Sequence, residues 1–258
     1  MAWISGFAVT LVVGVFIAII AVAAGVPADD DLPPGLQIGL TLFQNVAFLG
    51  AALVFARLSG GPPRARDFGL VKARLGRAVG LLVTVWIAFF VLSAIWALAL
   101  SLDEKQELPE QLGAGDSLAN TILVVFLLTI AAPLGEELFF RGYFFQALKN
   151  WRGVLPAAIL TGVVFGAMHA GSAPAGFLVP LALFGIGLCL LYHWTRSLYP
   201  CIALHALNNS VAVGVALNWS WEIPVTMAGS VVGTLTIAWL IGRLLDRTAS
   251  APLPVAAT

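Results

Sequence analysis

The sequence predicts an all-α membrane protein: a polytopic bundle of about eight transmembrane helices that forms a single domain over residues 1–258. Of the residues, 60% are apolar and only 10% are charged, whereas a soluble domain carries about a quarter charged residues. The apolar residues lie in continuous runs of roughly the 20 residues that a helix needs to cross a bilayer. Period-two alternation, which would predict a β-barrel, is absent.

Eight apolar runs are separated by turn-forming or charged residues, and each is predicted to be a span. In chain order the spans cover residues 3–25, 36–56, 78–101, 118–140, 154–170, 177–195, 200–217 and 223–242. The first run contains Ala21-Val22-Ala23, which resembles a signal-peptidase site. No lysine or arginine precedes it and the apolar run is long, so we expect a retained helix. Cleavage would leave the remaining topology unchanged.

Basic and acidic residues alternate between successive joints of the predicted spans. Lysine and arginine gather in the even joints and after the last span, at Arg57, Arg64, Arg66, Lys72, Arg74, Arg77, Lys149, Arg152, Arg196, Arg243 and Arg247. The odd joints are acidic, with Lys105 as their only base. Basic joints face the cytoplasm in most membrane proteins. The pattern therefore predicts a multi-pass protein of the cell membrane with both termini in the cytoplasm.

Charge and cysteine usage exclude two other classes of protein. The chain has 13 basic and 13 acidic residues, and it contains no basic arm, RNA-binding motif or zinc-finger spacing, so a nucleic-acid partner is not expected. Cys189 and Cys201 lie in apolar runs and suggest no disulfide framework. We expect two buried, unreactive thiols.

Ionisable and amide side chains interrupt four of the predicted spans. Each charge in a span costs at least ~2.5–3.5 kcal/mol on insertion scales, which makes it a functional candidate. The four groups are Glu136, Glu137 and Arg141; His169; His205 and Asn209; and Gln44 with Asn45. Taken alone, each has a structural explanation, as a salt-bridge network, a hydrogen-bonded histidine or polar helix–helix contacts. Gln44 and Asn45 are kept in that last class.

Helical spacing assigns different faces to the two glutamates. Residues four apart share a face, so Glu137 and Arg141 are predicted to form an ion pair, with the acid N-terminal to the base as is favourable. Glu136 points about 100° away and is left available for chemistry. His205 and Asn209 also share a face. Apart from Gln44 and Asn45, these polar groups all lie within residues 118–217.

At these positions the sequence resembles a known family of membrane proteases. Glu136-Glu137-x-x-x-Arg141, Phe165-x-x-x-His169 and His205-x-x-x-Asn209 occur in that order, each in its own apolar run. This three-motif pattern is similar to that of the CAAX protease and bacteriocin-processing family, which includes the type II CAAX prenyl endopeptidases. The resemblance implies an intramembrane endopeptidase with a catalytic core at residues 118–217, which carries the three motifs.

The resemblance also implies a role for each motif residue. Glu136 and His169 would activate a water molecule, and His205 with Asn209 would bind the oxyanion of the tetrahedral intermediate. Glu137 and Arg141 would hold the site together. No metal or other cofactor is expected. The expected partners are membrane lipid and a peptide or protein substrate, such as a lipidated C-terminal tail or a leader peptide.

Three alternatives remain open from the residues alone. Glu136, His169 and His205 could supply the His₂Glu ligands of a catalytic zinc site, although the sequence contains no HExxH helix. A proton-coupled transporter could use the same residues as a relay, but it predicts inverted repeats that the sequence does not show. An immunity or binding protein could keep the fold without turnover.

Overall fold

The computed structural model describes residues 33–102 and 107–250, with a few isolated positions between 12 and 23. Most of the predicted span at 3–25 therefore lies outside the described residues. The described part is helical and contains no β-strand. The all-α membrane bundle predicted from composition is confirmed.

Seven helices longer than two turns make up the described part of the chain. They are α1 (Pro34–Gly60), α2 (Leu75–Leu100), α3 (Leu118–Arg152), α4 (Val154–Ala167), α5 (Ala175–Thr195), α6 (Tyr199–Ala216) and α7 (Glu222–Ser250). A 3₁₀ turn at Ala65–Phe68 and a single helical turn at Leu108–Gln111 lie in the connections.

Five of these helices, α1, α2, α3, α5 and α7, are long and apolar enough to cross a membrane. Helix α4 is apolar but has only 14 residues, and α6 carries His205, Asn208 and Asn209 along its 18 residues. The second motif begins in α4, and the third motif lies in α6. Two of the three motifs are therefore carried by helices that are not among the five long, apolar ones.

The connections between helices gather at the two ends of the bundle as the charge pattern predicts. Three hydrogen bonds tie the α1–α2 connection to the other basic joints: Leu198 N to Gly69 O (2.7 Å), Ala65 N to Asp246 Oδ1 (3.0 Å) and Gln146 Nε2 to Asp67 O (2.9 Å). At the opposite end, Leu112 and Ala114 pack in one cluster with Ile38, Leu217 and Trp219. The even and odd joints thus lie on opposite sides of the fold.

The orientation of these ends is open to cysteine labelling. Cysteines that replace Arg66 and Arg152 should react with an impermeant reagent only from the cytoplasm, and one that replaces Glu107 only from outside. The background should be low because Cys189 and Cys201 are buried. Labelling in the reverse sense would overturn the predicted cytoplasmic position of both termini.

Helix α3 is longer than the sequence suggested. The predicted span ended at residue 140, but the helix continues to Arg152. It contains two π-helical segments, Leu127–Ala131 and Phe140–Phe144. Gly142 lies in the second segment, where an added Cβ would come within 3.2 Å of Phe68. This glycine allows close packing against the α1–α2 connection and does not end the helix.

Candidate active site

Arg141 is the central buried charge of the fold, and it binds Glu137. Its Nη1 lies 2.7 Å from Glu137 Oε1, one helical turn away, and both side chains are fully buried. This is the ion pair that the helical spacing predicts. Such a pair is stable inside a protein only when further hydrogen bonds satisfy the remaining donors and acceptors.

Two neighbouring helices supply additional partners for the guanidinium of Arg141. Its Nη2 donates to the carbonyl of Gly185 on α5 at 3.0 Å, and its Cζ lies 4.7 Å from the ring centroid of Phe165 on α4. Helices α4 and α5 approach closely here, because a Cβ on Gly185 would lie 2.9 Å from the Cα of Gly162. Arg141 thus joins three helices at one level of the bundle.

His205 is the second partner of Glu137. Its Nδ1 lies 2.8 Å from Glu137 Oε1, which makes Nδ1 the donor toward an ionised carboxylate. Its Nε2 faces Glu136, with Oε2 at 3.9 Å. The rings of Phe165 and Phe184 stand edge-on to the imidazole, each with a centroid distance of 5.7 Å. Helical spacing predicts the pairing of Glu137 with Arg141, but it does not predict this bond across 68 positions.

Glu136 has a different environment from its neighbour. Its side chain is buried, and Oε2 has no hydrogen-bond partner within the described structure. A buried acceptor is costly unless a donor reaches it. The space between Glu136 Oε2 and His205 Nε2 is too wide for a direct hydrogen bond. Glu137 accepts two hydrogen bonds on Oε1, although its own Oε2 lacks a partner. No side-chain hydrogen bond of the described residues reaches Glu136.

Asn45 of α1 lies beside this pair of glutamates. Its Nδ2 donates to Thr41 O at 2.9 Å, which leaves Oδ1 directed at α3. An added Cβ on Gly135 would lie 2.5 Å from that oxygen, so the contact requires glycine immediately before Glu136. This packing agrees with the prediction that Asn45 makes a helix–helix contact, but nothing in the sequence indicates that the contact borders Glu136.

His169 lies outside the helix that was predicted to contain it. The predicted span ran to residue 170, but α4 ends at Ala167, and His169 occupies the following turn. Its Nδ1 lies 2.8 Å from Phe165 O, and its ring is 4.9 Å from the Phe165 ring. No hydrogen bond of the described residues joins it to Glu136. Phe165, which contacts both histidine rings, is its link to the rest of the site.

Asn209 binds the backbone of α3. Its Nδ2 donates to the carbonyl of Leu128 at 2.9 Å, in the first π-helical segment. The adjacent Asn208 accepts a hydrogen bond from Trp86 Nε1 of α2 at 3.4 Å. Helix α6 is thus attached to α3 by His205 and Asn209, and to α2 by Asn208.

The zinc alternative named Glu136, His169 and His205 as ligands. In the part of the chain that the structure describes, no three histidine, cysteine or acidic side chains converge closely enough to hold a metal ion. One imidazole nitrogen of His205 is already bound to Glu137. Whether the protein uses a metal is a question for chelation.

Comparison with known proteins concerns the segment that builds this site. No curated protein and no solved structure matches the chain. A family model matches residues 118–211, which run from the start of α3 into α6 and contain all three motifs. That segment matches the type II CAAX prenyl endopeptidase Rce1-like family, which confirms the resemblance carried by the motifs.

Proposed function

We propose that the protein is an intramembrane endopeptidase that uses Glu136 to activate water for hydrolysis of a peptide bond. The observation that carries the proposal is the contrast between two adjacent buried carboxylates. Glu137 Oε1 accepts hydrogen bonds from Arg141 and His205, although Glu137 Oε2 has no partner. No side-chain hydrogen bond of the described residues reaches Glu136, whose buried Oε2 is also without a partner. A water molecule that donates to Glu136 would satisfy this oxygen and stand ready as a nucleophile.

In this mechanism the water proton passes to Glu136 as the water oxygen attacks the scissile carbonyl carbon. The carbonyl oxygen becomes an oxyanion that accepts hydrogen bonds from His205 Nε2–H and from the second N–H of Asn209. Glu136 then returns the proton to the leaving nitrogen as the C–N bond breaks. His169 is assigned the second contact to the water, from the turn after α4. Substrate binding would have to bring this histidine toward Glu136.

The charges of the site suit this assignment of roles. Because His205 Nδ1 binds an ionised carboxylate, Nε2 carries a proton only when the ring is an imidazolium. Buried ionic groups are tolerated when they are paired in this way. Glu137 and Arg141 support the site by holding His205 and do not touch the substrate.

The substrate is proposed to be a peptide or protein at the membrane, such as a lipidated C-terminal tail or a leader peptide. The five spanning-type helices favour a site that the substrate reaches from a lipid environment. The cell membrane is the proposed location, with both termini in the cytoplasm. The protease assignment rests on the family match of the core segment.

The direct test is cleavage of a peptide library by the purified full-length protein in detergent or vesicles. Wild type should cleave a subset of peptides, and Glu136→Ala should cleave none. Glu110→Ala is a matched control, because this glutamate is exposed on a connection at the far end of the bundle; it should cleave like wild type. Identical cleavage by Glu136→Ala would contradict the proposal, and an inert wild type would favour the transporter or immunity alternatives.

A further inference from the structure

The hydrogen bond of Asn209 exists because the backbone of α3 leaves one carbonyl without a helical donor. In the first π-helical segment, Ala132 N donates to Leu127 O, five residues back. In a regular α-helix that N–H would serve Leu128 O. The next N–H along the chain would belong to residue 133, which is proline and has none. Leu128 O therefore lacks both of its possible helical partners.

A carbonyl in this position must find a donor elsewhere. Leu128 is buried in the bundle, and inside a membrane there is no bulk water to replace the missing bond. Asn209 Nδ2 supplies the bond from α6 at 2.9 Å. Prolines are tolerated in membrane helices where a neighbouring helix satisfies the backbone in this way.

This bond also fixes the orientation of the Asn209 amide. The two ends of an amide differ only in that one donates and the other accepts. Because Leu128 O can only accept a hydrogen bond, it binds the NH₂ end of the amide. The flipped side chain is disfavoured because it would place the amide oxygen against Leu128 O. The second N–H of Asn209 then has a single defined direction, which a preorganised oxyanion donor requires.

We infer that Pro133 is a positioning residue of the site, which orients the Asn209 amide by withholding a backbone donor from Leu128. The inference rests on the proposed function in that orientation matters for hydrolysis, but the coupling between Pro133 and Asn209 is a property of the fold. Substitution by a residue with an N–H would give Leu128 O a backbone partner. Asn209 would then be free to rotate.

A thermal double-mutant cycle tests the coupling without reference to activity. In the wild-type background, Asn209→Ala leaves Leu128 O unsatisfied, and we expect Tm to fall by about 2–4 °C or more. In a Pro133→Ala background the same substitution should change Tm little. Pro133→Val restores the N–H with closer to the original side-chain volume and should give the same result. Equal losses in both backgrounds would overturn the inference.

Activity provides the second arm. Pro133→Ala should lower kcat by at least about tenfold, as expected for a misplaced catalytic group, with KM nearly unchanged. Its Tm should not fall, because alanine is the stronger helix former. A purely structural role would predict the opposite: an altered Tm with normal kcat. Pro180→Ala, another proline inside a helix, is the control and should retain kcat.

The two arms separate failure of the inference from failure of the proposed function. Wild-type kcat in folded Pro133→Ala would overturn the positioning role. If wild type hydrolyses no peptide, the proposed function fails, and the thermal cycle still decides whether Pro133 determines the bond between Asn209 and Leu128.

Discussion

Glu136→Gln should abolish peptide hydrolysis and leave the thermal unfolding of the purified protein almost unchanged. The substitution is nearly isosteric and replaces the basic carboxylate by an amide, which cannot take a proton from water near neutral pH. Glu136 Oε2 has no hydrogen-bond partner in the described structure, so little native bonding is lost. The measurements are single-turnover hydrolysis and the melting temperature in the same detergent.

Glu137→Gln is the matched comparison, because the same chemical change one residue away should act mainly on stability. Arg141 and His205 both bind Glu137 Oε1, at 2.7 and 2.8 Å. Breaking a buried pair in this way typically costs about 3–5 kcal/mol. Activity should fall as well, because His205 loses the group that orients it. If Glu137→Gln melts like wild type while Glu136→Gln is unstable, the two roles are assigned in reverse.

The second large effect distinguishes the metal-free mechanism from a zinc enzyme. Without a metal, Asn209→Ala removes one donor to the oxyanion and should lower kcat by about 10²–10³, with little change in KM. Activity of the wild type should survive exhaustive chelation. Steady-state kinetics of wild type and variant, with and without chelator, provide the comparison.

A zinc mechanism predicts a different set of results. His205→Ala and His169→Ala would then strip a bound metal, and chelation would silence the wild type until zinc was restored. Metal analysis of active protein should show well under one zinc per chain if the glutamate mechanism holds. Stoichiometric zinc that tracks activity and disappears in both histidine variants would rule out that mechanism, while the protease assignment would stand.

The features that the sequence predicted correctly mostly depend on residues that are close together along the chain. The extents of α1, α2 and α5 lie within a few residues of the predicted spans, because apolar length is set by the membrane itself. The pairing of Glu137 with Arg141 follows from helical spacing alone. The predicted ends were wrong at α3 and α7, which continue beyond residues 140 and 242 to Arg152 and Ser250, and at α4, which ends at Ala167 instead of residue 170.

His169 shows why the remaining site geometry needed the fold. Counting residues placed it at the end of a span, but the short α4 ends two residues earlier, and the ring folds back onto Phe165. Similarly, the π-helical segment leaves Leu128 O without a helical donor, and the only sign of this in the sequence is Pro133. A helix-interior proline does not by itself reveal which carbonyl is left or which side chain will reach it.

The sequence by itself determined the membrane-spanning character of the helices, the alternation of basic and acidic joints between them, and the chemical identity of the polar groups in the core. These depend on apolar length, charge placement and backbone periodicity, which act over a few residues. The tertiary structure alone decided that His205 binds Glu137 and that Asn209 binds Leu128 O, across 68 and 81 positions. Such pairings join side chains on different helices, so they depend on how the helices pack, which sequence spacing does not encode. The same holds where α3 meets α1 at Gly135 and where α4 meets α5 at Gly162 and Gly185, because the absence of a Cβ permits these close approaches.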